Sequence, residues 1–187
     1  MKPLYISDYI EKPNSLFGIH ISFDSLRNEV AWVNRDAPRD ECFMASDSLE
    51  YTYGKGVTRT YNSVEFHSAV LAVMEKLNID FDCSYNVCFL NYYKSDKQHL
   101  GWHADDSPEM DKTHPIAVVT FGAVRDIWVK QKDYKGNIPD EDKYLLENGS
   151  LFVMPPGFQE DNLHKIPKHD KVCGGRISLT FRKFINR

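Results

Sequence analysis

From Tyr85 onward the chain breaks into short runs rich in β-branched and aromatic residues: "YNVCFLNYY", "IAVVTFG", "DIWVK", "KYLLE", "SLFVMPP" and "RISLTFRKF". Polar or Gly/Pro segments separate them, and strands of this length at this spacing bury themselves by wrapping into a sandwich or a barrel. Two of the runs break the rule that an inward sheet face is apolar. Asn91 and Tyr93 share a face of the first; Arg176, Ser178, Thr180 and Arg182 share a face of the last, with Ile177, Leu179 and Phe181 opposite. A barrel built this way calls for something polar inside it.

The first half is less regular, with turn-rich stretches such as "NRDAPRDE" and "YGKGVTR" and one clear helix. Asn62 and Glu65 have the spacing of a capping box, and Phe66, Ala69, Val70, Val73, Met74 and Leu77 recur behind them at helical intervals. That helix is expected to lie on a sheet. A length of 187 residues makes one domain the default. We divide it into an N-terminal extension and lid over about residues 1–60, and a helix plus β core over about 61–187.

Composition, 42% hydrophobic and 27% charged, is that of a water-soluble globular protein, with no apolar run of membrane-spanning length. The segment "MKPLYISDYIEKPNS" carries acids and prolines where a secretion signal needs an apolar stretch, so export is not expected. Cys42, Cys83, Cys88 and Cys173 form no CxxC pair and read as reduced thiols, which suits the cytoplasm, or the nucleus of a eukaryote. A net charge of -4 argues against indiscriminate coating of nucleic acid. From His164 to Arg187, however, Lys165, Lys168, Lys171, Arg176, Arg182, Lys183 and Arg187 face the single acid Asp170, which leaves a local polyanion contact open. A monomer is the default expectation.

The chemistry begins at "GWHADDSPEMD". If Gly101 to Asp105 ends a strand, His103 and Asp105 point the same way and can reach one ion. Among the later histidines His114, His164 and His169, His164 stands out as third ligand, because it follows the strand "SLFVMPPG" across a turn and precedes the strand that starts near Arg176. Two histidines and a carboxylate on one face of an octahedron hold Fe(II) and leave adjacent positions for a bidentate 2-oxo acid and O₂. Arg176 is placed to hold that acid's distal carboxylate, since its fork makes two parallel hydrogen bonds where lysine cannot. Each feature alone has a plainer reading. An HxD pair is most often a turn or a helix cap, alternating charge in a sheet is most often a solvated edge, and Asn91 and Tyr93 could be surface residues. The joint order favours the metal: Asn-x-Tyr, then HxD, then a distant His, then Arg-x₅-Arg, each on a strand or its end.

The blocks "NYYKSDKQHLGWHADD", "TFGAVRDIWVK" and "HKIPKHDKVCGGRISLTFRK" resemble the AlkB family of Fe(II)- and 2-oxoglutarate-dependent dioxygenases, in family order, with similarity from about Pro38 to the C-terminus. The resemblance implies a mainly β fold with flanking helices: a double-stranded β-helix (jelly roll) core with an N-terminal substrate-binding lid. It implies His103, Asp105 and His164 as iron ligands, and Arg176 on the distal carboxylate of 2-oxoglutarate with help from Asn91 and Tyr93. Arg182 would sit near the other end of the cosubstrate and near Asp105, keeping that carboxylate ionised. The implied reaction is oxidative demethylation of bases of the 1-methyladenine or 3-methylcytosine type in single- or double-stranded DNA, or in RNA, releasing formaldehyde and succinate. A base must then leave its stack, and aromatic residues should receive it.

"EYTYGKG" resembles the family's lid segment, so Tyr51 and Tyr53 could stack on the base or could pack the lid as ordinary strand aromatics. Trp32 could separate bases or be core, and Trp102 is expected to be core behind His103. Lys55, Arg59 and the basic C-terminal segment are candidate phosphate contacts. Two positions depart from the family pattern. Ser107 stands where many DNA-repair members have an acidic base-reading residue, and Ser178 where asparagine is common. The competing readings are a 2-oxoglutarate-dependent hydroxylase that installs a nucleic-acid modification or acts on a protein or small molecule, and a non-catalytic jelly-roll binding module.

Overall fold

The computed structural model describes residues 2–11, 15–53, 59–134 and 141–185, with Tyr53 described in its backbone only. In chain order the elements are β1 (Leu4–Ile6), β2 (Ser15–Leu16), β3 (Ile19–His20), α1 (Phe23–Glu29), β4 (Val33–Asn34), β5 (Asp40–Ala45), β6 (Glu50–Tyr53), β7 (Arg59–Asn62) and α2 (Ser68–Asp80). Then follow β8 (Val87–Tyr93), β9 (Leu100–His103), β10 (Ile116–Gly122), β11 (Arg125–Gln131), β12 (Glu141–Leu146), β13 (Leu151–Met154), α3 (Phe158–Asp161), β14 (Asn162–Ile166) and β15 (Arg176–Arg182). The major sheet runs β1-β13-β10-β15-β8-β5-β4, the minor sheet β12-β11-β14-β9, and the strands in each pair antiparallel. The β6–β7 hairpin stands apart as a small sheet of its own. This is a jelly roll: mainly β, with helices against one face.

The alternation of β15 decides which side of the major sheet is which. Ile177, Leu179 and Phe181 face one core, where Ala117, Val119 and Phe121 of β10 meet Val70, Val73 and Leu77 of α2. Its opposite face, with Arg176, Ser178, Thr180 and Arg182, turns into the space between the sheets. Apolar side chains of both sheets close that space, among them Phe43, Phe89, Val118, Phe152, Ile127, Val129 and Ile166. β5 feeds both cores in turn, Cys42 and Met44 into the helical one and Phe43 and Ala45 into the inner one.

The helix over the sheet is where the sequence placed it, but its start differs. Asn62 ends β7 and forms no cap. Val64 is held extended by backbone bonds to Phe43 and Ala45, so the chain cannot turn helical until it has cleared that bridge. α2 begins at Ser68, with His67 as N-cap accepting the Ala69 N–H at Nδ1, 3.2 Å away. Phe66 thus precedes the helix and packs against the core from outside it.

Candidate metal and cosubstrate centre

β9 and β14 are neighbours, and their register sets His103 directly opposite His164. Two residues on β14, from His164 to Ile166, span three on β9, from His103 to Leu100, which is the signature of a β-bulge. The bulge lets both Leu100 and His103 line the inner cavity while Trp102 turns out. The expectation that Trp102 is core is therefore corrected. It lies half-buried on the outer face of the minor sheet, with Lys130 and Lys165 over its ring at 4.6 and 4.4 Å.

Asp105 lies just past the end of β9. Gln159 of α3 accepts its backbone N–H at 2.9 Å, a constraint that no sequence signal announced. Its carboxylate faces both imidazoles, Oδ1 at 3.7 Å from His103 Nε2 and Oδ2 at 3.9 Å from His164 Nε2, and donor atoms from all three lie within 4.8 Å of one another. His103 Nδ1 donates to the Gly101 carbonyl at 2.8 Å, which fixes the tautomer and leaves Nε2 as the ligand atom. Arg182 approaches Asp105 Oδ2 at 2.9 Å. Burial alone would raise the Asp105 pKa, but the Arg182 guanidinium and then the two imidazoles outweigh it and hold the carboxyl well below the usual range.

Burial acts on the histidines in the opposite sense. It lowers His103, and it pushes His164 down to about 3, with repulsion from His103 adding to the effect and Asp105 opposing it. Both imidazoles are then neutral at pH 7, as a metal ligand must be. The linkage has one sign. A histidine near 6.5 in the unfolded chain but near 3 when folded makes the unfolded state the better proton binder between those values, so stability present above pH 6.5 is lost on acidification. The metal-free protein is expected to lose about 2 kcal/mol between pH 6.5 and pH 5 from His164 alone. Thermal melting in chelator across that range checks this, and a flat profile would contradict the burial of a neutral imidazole.

Beside the triad, β8 and β15 present the second half of the site. Their register pairs Tyr93 with Arg176 and Asn91 with Ser178. Arg176 is 0% exposed, and among the described residues none of its three guanidinium nitrogens has a hydrogen-bond acceptor. The Tyr93 hydroxyl, a neutral group, lies against it without a well-aligned bond. Burial pushes this guanidinium down to about 10, and the charge of Arg125 adds to the effect. A buried cation of this kind needs an anion. A cavity lies between triad and guanidinium, and the apolar side chains of Phe89, Val118, Ile127 and Ile166 join these polar groups in its lining, the mixture typical of a small-ligand site. Two imidazoles, one carboxylate and an acceptor-less arginine thus fit a divalent iron with a 2-oxo diacid on it.

The expected substrate side is placed less evenly. Tyr51 lines the same cavity but is 2% exposed, packed among Phe43, Phe89, Phe184 and Tyr61, with its hydroxyl toward Ser107. Ser107 is itself buried, two residues past Asp105. Tyr53 lies on β6, but its side chain, like Lys55 and Arg187, is outside the described residues; Arg59 is half-buried on β7. Trp32 shares its indole N–H between the carbonyls of Leu26 and Arg27, both at 3.2 Å, and its ring rests on Tyr92, so it caps the C-terminus of α1. Asp106 is half-buried, 3.9 Å from Lys132 Nζ. Sequence reasoning missed Arg39 and Tyr61, which also line the cavity, and Glu41, buried between them.

Residues 22–182 match the family described as the 2OG-Fe(II) oxygenase superfamily. The chain is 33% identical over 177 residues to DNA oxidative demethylase ALKBH2 of Mus musculus, covering 87% of this chain and 74% of that protein. It is 28% identical over 176 residues to the alpha-ketoglutarate-dependent dioxygenase alkB homolog 3 of Bos taurus, covering 86% and 59%. The chain spans 63% of the length of the Bos taurus ALKBH2. Among solved structures, that of OsALKBH1 matches in fold with a TM-score of 0.58 at 12% identity over 97% of each chain. The chain belongs to the 2OG-Fe(II) oxygenase superfamily and, within it, to the AlkB family.

Proposed function

We propose that this chain is an Fe(II)- and 2-oxoglutarate-dependent dioxygenase that oxidatively demethylates nucleobases of the 1-methyladenine or 3-methylcytosine type in DNA, with RNA as the alternative polymer. The observation that carries it is the acceptor-less Arg176 in the same cavity as His103, Asp105 and His164. The names of the relatives, a DNA oxidative demethylase among them, support the substrate class. Iron, 2-oxoglutarate and O₂ would supply the oxidising power that hydroxylates the methyl carbon; the hydroxylated product collapses to formaldehyde and the repaired base.

The protein's own work is positioning and exclusion of water. His103, Asp105 and His164 are the iron ligands in this reading. Arg176 neutralises the distal carboxylate, and Tyr93 and Asn91 add neutral hydrogen bonds, so that a buried charge is fully satisfied. Arg182 keeps Asp105 ionised. The Tyr51 ring borders the space a base would enter, and the Tyr51–Ser107 hydroxyl pair stands where an acid is common. Neutral hydroxyls there favour a broader base preference than a carboxylate would. A monomer in a reducing compartment is part of the same proposal; the four free cysteines support the reducing compartment.

The test is a panel of methylated bases in single-stranded DNA, duplex DNA and RNA, read by mass spectrometry with iron and 2-oxoglutarate present. Demethylation with matched formaldehyde is expected on at least one polymer. Robust succinate formation with no demethylation anywhere would sink the repair reading in favour of a hydroxylase with another substrate, which the Ser107 departure keeps in view. A binding module without catalysis would show neither succinate nor the visible charge-transfer band of a chelated iron complex.

A further inference from the structure

Along one wall of the cavity, which Arg39, Tyr61 and Asn91 all line, runs a buried polar chain to which the proposed reaction gives no role. Tyr61 of the β6–β7 hairpin donates its hydroxyl to Glu41 Oε2 at 2.9 Å. The other carboxylate oxygen, Oε1, lies 2.5 Å from Arg39 Nη2. Arg39 Nε in turn donates to Asn91 Oδ1 at 2.6 Å. Every member is buried, with Glu41 at 1% and Tyr61 at 3% exposure, and the links cross from the hairpin through β5 to β8. Glu41 and Asn91 are register partners on adjacent strands, yet the contact that reaches Asn91 comes from Arg39, two residues earlier on the same face.

An asparagine amide has an acceptor end and a donor end, and nothing in its shape says which points where. Here the guanidinium decides. A flipped Asn91 would set its NH₂ against the Arg39 N–H, donor to donor. Arg39 therefore holds the carbonyl end and leaves the NH₂ as the group offered to the cavity that Asn91 lines. A carboxylate in that cavity needs a donor, so the orientation matters for binding an anion. Glu41 keeps Arg39 in place by charge, as a close ion pair without an aligned hydrogen bond, and the Tyr61 hydroxyl donates to the other oxygen of that carboxylate.

We propose that Tyr61, Glu41 and Arg39 are positioning residues for 2-oxoglutarate, acting through Asn91, so that the β6–β7 hairpin helps set cosubstrate affinity through the orientation of that amide. The proposal rests on the 2-oxoglutarate site described above and not on the identity of the base.

The test is an anaerobic titration of 2-oxoglutarate into the full chain loaded with Mn(II), reading the dissociation constants of 2-oxoglutarate and of Mn(II) and the melting temperature. Tyr61→Phe, which keeps the ring and its packing, is expected to weaken 2-oxoglutarate about fivefold, and Arg39→Met about thirtyfold, the scale of one neutral and one charged hydrogen bond. Mn(II) affinity stays unchanged. Arg39→Lys keeps the charge beside Glu41 but loses the fork that reaches both partners, and falls between wild type and Arg39→Met. In an Asn91→Ala background both effects shrink to less than about twofold, because the group they orient is gone. A role confined to folding would lower the melting temperature and leave the 2-oxoglutarate constant alone; that result, or equal effects with and without Asn91, overturns the proposal. A wild-type chain that binds 2-oxoglutarate but leaves every methylated base untouched removes the demethylase reading and leaves this one standing.

Discussion

Arg176→Met is expected to weaken 2-oxoglutarate binding by about 30-fold or more and coupled turnover with it, to leave metal affinity within about twofold, and to leave the unliganded protein at least as stable as wild type. The three effects have one cause. Arg176 is fully buried with no acceptor on any guanidinium nitrogen, and a second cation, Arg125, adds to the cost of its charge. Arg125 differs in having the carbonyls of Ser95, Gln98 and Pro167 around it. Arg176 has been left for a ligand to complete. Losing the partner of a buried carboxylate costs roughly 2–5 kcal/mol, or about 30- to several-thousand-fold in affinity. In the empty protein, exchanging an uncompensated buried charge for an apolar side chain of similar length is neutral or stabilising, by up to about 4 kcal/mol. The order of melting temperatures should therefore invert on adding 2-oxoglutarate with metal, wild type gaining by mass action and the variant not. Arg176→Lys should bind, but weakly, as a point charge without the fork. A variant that melts well below wild type while binding 2-oxoglutarate normally would mean that this guanidinium is structural.

How far the sequence showed this site depends on what each residue's neighbours in the chain do. β8, β10 and β15 were legible because each buries an apolar face, and the exceptions in that pattern, Asn91, Tyr93 and Arg176, were themselves the signal. His103 and Asp105 were legible because two candidate ligands stand close together in the chain. β14 was not legible as a strand: "NLHKI" is five residues long with acids before it and a proline after it, and only pairing with β9 and β11 holds it extended. β5 failed for a different reason. It serves a core on each face, so "DECFMA" shows no alternation. Arg39 and Glu41 were hidden deepest, because a charged run beside a proline reads as a solvated turn, and their burial comes from Asn91 and Tyr61, far along the chain. Trp102 was read on the face of β9 opposite His103 and lies there, but the lysines Lys130 and Lys165 cover that face of the minor sheet and no core does.

Asp105→Ala is expected to be the most damaging single change at the metal site, because it strikes binding and stability together. As a ligand it supplies the only carboxylate among the three donors, so metal affinity should fall by about 100-fold or more. As a structural anion it sits 2.9 Å from the buried Arg182 guanidinium and next to the half-buried His103 and the buried His164 imidazoles. Taking one partner out of a buried pair costs about 3–5 kcal/mol, since the other charge stays where it was. For a chain of this size that is about 10 °C in melting temperature. The two losses can be pulled apart. Asp105→Ala/Arg182→Met removes the stranded charge along with the carboxylate, so most of the stability should return while metal affinity does not. If the double variant melts no higher than Asp105→Ala, the damage lies in the loop that Gln159 ties to the Asp105 amide rather than in the buried ion pair.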